Sequence, residues 1–160
     1  MLALPIVVGI DGGPASIAAL RVAMREAELR ETEVLAIICW PADGRHDDSS
    51  PLRCDSHERA TEIIEHVVAE ATHHDAHHVP IVREVSQSFA GPTLVAAARS
   101  AELLVVGSTE RGPGTRHSTR HTVEHCLRYS PAPVVVVPWT LATLDERDIE
   151  LDLNQASTAR

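Results

Sequence analysis

The sequence predicts an α/β fold: one open sheet of five parallel strands, doubly wound by helices, in a single domain. Three observations carry this reading. Short β-branched and aliphatic runs alternate along the chain with stretches whose apolar residues recur at helical spacing. The hydrophobic fraction is 44% but aromatics are only 2%, so the core is built from Ala, Val, Leu and Ile, as in buried parallel sheets. Strand–helix alternation also requires right-handed crossovers, which pair successive strands in parallel.

Ile6-Val7-Val8-Gly9-Ile10 is a β-branched run closed by Asp11-Gly12-Gly13-Pro14, a strand followed by turn chemistry. Pro14 suits the first turn of the next helix, where Ile17, Leu20, Met24 and Ala27 share a face. Val34 to Cys39 reads as a second strand ended by Trp40-Pro41, and residues 41–55 as a polar loop. Ala60, Ile63, Ile64, Val67, Val68 and Ala71 mark the strongest amphipathic helix of the chain. Val79 to Val85 reads as a third strand, with Pro80 indicating a strand start or a sheet edge. Pro92 opens a helix through Leu94, Val95, Ala97, Ala98 and Ala101. Leu103 to Val106 is the fourth strand, Thr122 to Tyr129 a short helix, and Val134 to Val137 the fifth strand. The domain is expected over residues 1–139. Residues 140–160, with Asp145, Glu146, Asp148, Glu150 and Asp152, read as a solvated acidic C-terminal tail.

A chain of 160 residues suits one domain that buries roughly 70% of its unfolded surface. The net charge of -9 argues against a nucleic-acid partner, which asks for a basic face, and the scarcity of aromatics against a base-stacking platform. Cys39, Cys54 and Cys126 are odd in number and lack C-x-x-C spacing. Neither a disulfide framework nor a cysteine zinc site is expected, and a reducing compartment follows. Leu2 to Ile10 has no basic n-region and is too short to span a bilayer, so no membrane partner and a cytoplasmic location are expected.

In open α/β sheets, ligands sit beyond the carboxyl ends of the strands, where the strand order reverses. If the first and fourth strands flank that point, Asp11-Gly12-Gly13 and Gly107-Ser108 face each other there. The Asp11 carboxylate could then bond a ligand, and backbone N–H groups after Gly107 could approach an anion. Alternatively, Asp11 caps the following helix and Gly107 permits a turn. Gly107 and Gly112 have the glycine spacing of a P-loop, but Pro113 stands where Lys is required. No G-x-G-x-x-G follows the first strand, so the dinucleotide reading fails as well.

From Pro5 to Pro138 the chain resembles a universal stress protein domain. The resemblance rests on Ile6-Val7-Val8-Gly9-Ile10-Asp11-Gly12 with Pro14-Ala15-Ser16 and Ala19-Leu20 behind it. It continues through Ala97-Ala98, Leu103-Leu104-Val105-Val106-Gly107-Ser108, Arg111-Gly112, and Glu124-His125 to Pro131-Ala132-Pro133-Val134. It implies a flavodoxin-like sheet of the adenine nucleotide alpha hydrolase-like kind and a role in stress adaptation. It also implies a homodimer through the last strand, Val134, Val135, Val136 and Val137. Nucleotide-binding members carry Gly, two residues, Gly, nine residues, then Gly and Ser or Thr. Laid on this sequence from Gly107, the second glycine falls on Glu110, the third on Arg120 and the hydroxyl on His121. The Ser usual after Asp-Gly is Gly13 here. A side chain at a glycine position blocks close backbone approach, and a required positive φ costs roughly 1–2 kcal/mol. Family-type ATP binding is therefore disfavoured and no cofactor is required. The degenerate site that the resemblance implies comprises Asp11, Gly12, Cys39, Gly107, Ser108, Arg111, Gly112, Arg120, His121 and Thr122.

A second reading is a nucleotide- or phosphate-binding regulatory switch using the loop after the fourth strand. Arg111, Arg116, Arg120, His117 and His121 make that loop locally basic, and Arg forks hold phosphate without glycine backbone. The same residues could be solvated, or pair with Glu110 and Glu124. His73 with His77, and His74 with His78, have i,i+4 spacing that can share a metal, as do His117, His121 and His125. His at a helix C-terminus is also favoured by the dipole alone, so no metal site is assigned. Ser108, Thr109 and Ser118 lack a nucleophile elbow or an oriented His–carboxylate pair, and Cys39 reads as packing. The protein is expected not to be an enzyme.

Overall fold

The computed structural model describes residues 3–41, 54–73, 78–108 and 118–138. Its elements run β1 (Ile6–Ile10), α1 (Pro14–Leu29), β2 (Val34–Cys39), α2 (His57–Thr72), β3 (Ile81–Ser86) and α3 (Ala90–Ala97). A 3-10 turn (Ala98–Ser100), β4 (Leu103–Ser108), α4 (Ser118–Tyr129) and β5 (Val134–Pro138) follow. The strands form one parallel sheet in the order β3-β2-β1-β4-β5. The direction of winding reverses between β1 and β4, which puts the switch point where the sequence places it. The expected acidic tail and the whole loop between β4 and α4, residues 109–117, lie outside the described residues.

The strands read as continuous apolar runs because both faces of the sheet are covered. Ile6, Val8 and Ile10 turn to one side and pack with Leu20, Met24, Ile63, Ile64 and Val67 of α1 and α2. Val7, Ile37, Leu104 and Val106 turn to the other and pack with Leu94 of α3 and Cys126 of α4. The period of two along each strand feeds two separate cores. Each fully buried Leu or Ile side chain contributes about 1.5–3 kcal/mol.

The ends of α1 and α2 are set by local chemistry. Pro14 occupies the first turn of α1, where its missing N–H is not needed. At the other end, Glu31 N–H donates to the Glu28 carbonyl and Thr32 N–H to the Ala27 carbonyl, at 3.2 and 2.9 Å. This is the Schellman arrangement, and it places Glu31 at φ 53, a left-handed conformation usually given to Gly. Ser56 caps α2: its Oγ accepts the Arg59 N–H at 3.1 Å.

Several boundaries differ from the sequence reading: β4 runs on to Ser108 and β5 to Pro138. Helix α4 starts at Ser118 rather than Thr122, because its first turn is polar and shows no apolar period. Helix α3 starts at Ala90, with Pro92 inside the first turn, where proline is still tolerated. Strand β3 covers Ile81–Ser86, while the Pro80 carbonyl accepts the Val34 N–H at 2.9 Å. The two sheet edges are unlike. Val82, Arg83 and Glu84 of β3 are exposed, and Arg83 pairs with Glu65 of α2 at 3.0 Å. Val134, Val135 and Val136 of β5 are half-buried. No helix among the described residues is long and apolar enough to cross a membrane.

Candidate functional site

The carboxyl rim at the switch point begins with the turn after β1. Gly12 sits at φ 85, and Gly13 N–H donates to Asp11 Oδ1 at 2.8 Å. Asp11 therefore closes an Asx turn rather than capping α1, whose N-cap is Gly13 without a side-chain bond. The buried Ser16 hydroxyl donates to the Gly13 carbonyl at 2.8 Å and locks this turn onto the helix. The reading of Asp11 as a helix cap is thus replaced by an Asx turn that ends at Gly13, the N-cap residue of α1.

Gly107 and Ser108 end β4 beside Val137 and Pro138 of β5. A Cβ on Gly107 would stand 2.7 Å from the carbonyl carbon and oxygen of Ala15 and 3.0 Å from its Cβ. The glycine is needed for close approach of β4 to the first turn of α1. It does not serve a positive φ, which among the described glycines occurs at Gly12.

Cys39 ends β2 and Trp40 follows it, on the far side of β1 from β4. Burial pushes the Cys39 thiol up, outweighing hydrogen bonds from Ser88 and Thr93 that lower it. A neutral, half-buried thiol is a poor nucleophile, which agrees with the packing role read from the sequence. It borders a chain of hydroxyls: Ser86 Oγ to Ser88 Oγ at 2.7 Å, Ser88 Oγ to Thr93 Oγ1 at 2.7 Å, and Thr93 Oγ1 to the Phe89 carbonyl at 2.9 Å. Trp40 N–H donates to the Ser86 carbonyl at 2.9 Å, and its ring packs against the core under α1 and α2. The indole Nε1–H is buried and meets no acceptor, a desolvation cost of about 1–3 kcal/mol.

Arg120, His121 and Thr122 lie in the first turns of α4, with His121 exposed and Thr122 half-buried. Arg111 and Gly112 lie outside the described residues, as do Glu110, Arg116 and His117. The structure thus brings Asp11, Gly12, Cys39, Gly107 and Ser108 to one rim. Farther along α4, His125 packs on Gly91 of α3 and its ring centroid is 4.8 Å from that of Tyr129. His73 ends α2 and His78 is exposed, while His74 and His77 lie outside the described residues. Among the described residues, no group of three or more His, Cys, Asp or Glu is placed to hold a metal. Sequence reasoning overlooked Trp40, Ser86, Ser88 and Thr93 as rim residues. The Ser-x-Ser that begins at the last residue of β3 was the available signal for the hydroxyl chain.

Residues 4–138 match the model of the universal stress protein family. A universal stress protein of Mycolicibacterium smegmatis is 30% identical over 139 residues, covering 82% of this chain and 47% of that protein. The chain therefore spans about half the length of this relative. A universal stress protein solved in complex with cAMP superposes with a TM-score of 0.62 at 20% identity, over 86% of this chain and 98% of the other. A universal stress protein from Archaeoglobus fulgidus, solved in complex with dAMP, gives 0.61 at 20% identity over 86% and 99%. At that identity the likeness of these structures is one of fold.

Proposed function

The chain belongs to the universal stress protein family, and on that premise we propose that it is a non-enzymatic homodimer of stress adaptation whose ATP site has diverged. One observation carries this reading: Asp11 and Gly107, two rim features that survive from a nucleotide site, each have a structural use. Asp11 closes its own turn, and Gly107 admits the backbone of Ala15. Where the nucleotide-binding pattern asks for further glycines and a hydroxyl, the sequence has Glu110, Arg120 and His121. The neutral Cys39 thiol supports the absence of catalysis. The half-buried valines of β5 support a dimer through that edge.

A second reading, a mononucleotide-responsive switch, is favoured by the relatives solved with cAMP and dAMP. Each of those ligands carries one phosphate, which asks less of the loop than a triphosphate does. Arg111, Arg120 and His121 are the groups that would hold it, by charge rather than by bare backbone. Calorimetric titration with ATP, AMP and cAMP, with and without Mg, separates the two readings. The diverged-site reading expects no saturable binding below about 100 μM. Tighter binding that weakens in Arg120→Ala establishes the switch instead. Product formed during the same incubations would overturn the non-enzymatic assignment.

A further inference from the structure

A strand edge alone is too small to hold two chains together. β5 spans five residues, whereas a stable interface takes roughly 20–30 residues and about 800 Å² from each partner. The rest must come from whatever flanks that edge. On one face of the sheet the flank is α4, since α3 lies over β1 and β2, and α4 over β4 and β5. His125 faces α3, where it packs on Gly91, and the buried Cys126 faces the sheet. Leu127 follows His125 by two residues, about 200° around the helix. It therefore points away from α3 and out past β5, and Val123, one turn earlier, shares that side. Leu127 is 58% exposed and Val123 is half-buried. Val134 and Val136 of β5 line the sheet beneath them on the same face.

We propose that Val123 and Leu127 extend the β5 edge into a docking surface for a second copy of this chain, α4 against α4. This assignment rests on the dimer reading given above. A two-fold axis normal to the sheet pairs β5 antiparallel with its mate and keeps corresponding faces on the same side. Each α4 then lies beside the other. With strands about 4.8 Å apart, helices set between β4 and β5 come roughly 10 Å from each other. Packed helices lie about 8–10 Å apart, so the two rows of Val123 and Leu127 meet. The contact takes from water a leucine that a lone chain leaves exposed. The opposite border offers no such surface, because β3 presents exposed Arg83 and Glu84.

The test compares Leu127→Glu with Tyr129→Glu by sedimentation equilibrium. Tyr129 is as exposed as Leu127, at 56%, but its ring lies against His125 on the α3 side. Leu127→Glu is expected to weaken self-association about tenfold or more, and Tyr129→Glu to leave it unchanged. Both substitutions fall on exposed side chains, so circular dichroism and Tm are expected to match wild type. Should Leu127→Glu melt early, Leu127→Ser is read in its place. Wild-type association of the Leu127 variant, or equal weakening by the Tyr129 variant, overturns the α4 assignment and leaves the β5 reading to Val135→Asp. A wild type that stays monomeric overturns both.

Discussion

Gly107 of β4 lies so close to Ala15 of α1 that an added Cβ would stand 2.7 Å from two backbone atoms of that residue. The contact ties the end of β4 to the first turn of the helix that begins at the switch point. Gly107→Ala is expected to lower the unfolding free energy by about 1–3 kcal/mol, the usual cost of overpacking. Urea denaturation without any ligand measures it. Adding Ala15→Gly should recover little, since the collision is mainly with backbone. Full recovery in the double variant would assign the clash to the Ala15 methyl.

Glu31 holds a left-handed conformation at the end of α1 without being glycine. A residue with a Cβ loses roughly 1–2 kcal/mol there, and glycine returns part of that as chain entropy. Glu31→Gly should therefore stabilise the protein by about 0.5–1 kcal/mol, raising Tm by about 1–4 °C. Glu28→Gly, inside the same helix, should destabilise by about 1 kcal/mol. Equal signs for the two variants would contradict the Schellman assignment.

Burial pushes the Cys126 thiol up to about 11. The folded state thus holds this proton more tightly than the unfolded chain, whose thiol titrates near about 8.5. The stabilisation is complete below the unfolded pKa and is lost as pH rises through the folded one, by up to about 1.4 kcal/mol per pH unit. Between pH 8 and 10.5, Cys126→Ala should lose roughly 1–3 kcal/mol less stability than wild type does. Parallel urea-unfolding profiles for the two proteins would remove the thiol as a cause.

The dimer assignment predicts a single sedimenting species of twice the chain mass. Val135→Asp places a charge on the half-buried β5 edge and should shift the protein to monomer at micromolar concentration. Circular dichroism must show the variant still folded for this result to count. A monomeric wild type sinks the interface.

Much of this molecule is legible in its sequence because the cue is local. The β-branched runs mark all five strands, and the spacing of Ala60, Ile63, Ile64, Val67 and Val68 marks α2, because burial on a regular element leaves a periodic trace. The first turn of α4 leaves none, as Ser118, Thr119, Arg120 and His121 are all polar. Glu31 at the end of α1 hides its conformation for a different reason: the expected signal is glycine. Gly107 was legible as a special backbone position, but its use depends on Ala15, more than ninety residues away, and such contacts exist only after folding. The idle donor of Trp40 is likewise invisible in sequence, since no residue type announces the lack of a partner.

The sheet also has unequal borders. β3 ends it with exposed Arg83 and Glu84, and β5 ends it with half-buried valines. Charge discourages strand-to-strand addition at one border, while the other invites it. A molecule with one inviting border can join a single copy of itself, and that union uses up both inviting borders at once. If the proposed dimer forms through β5, association counts to two and stops there.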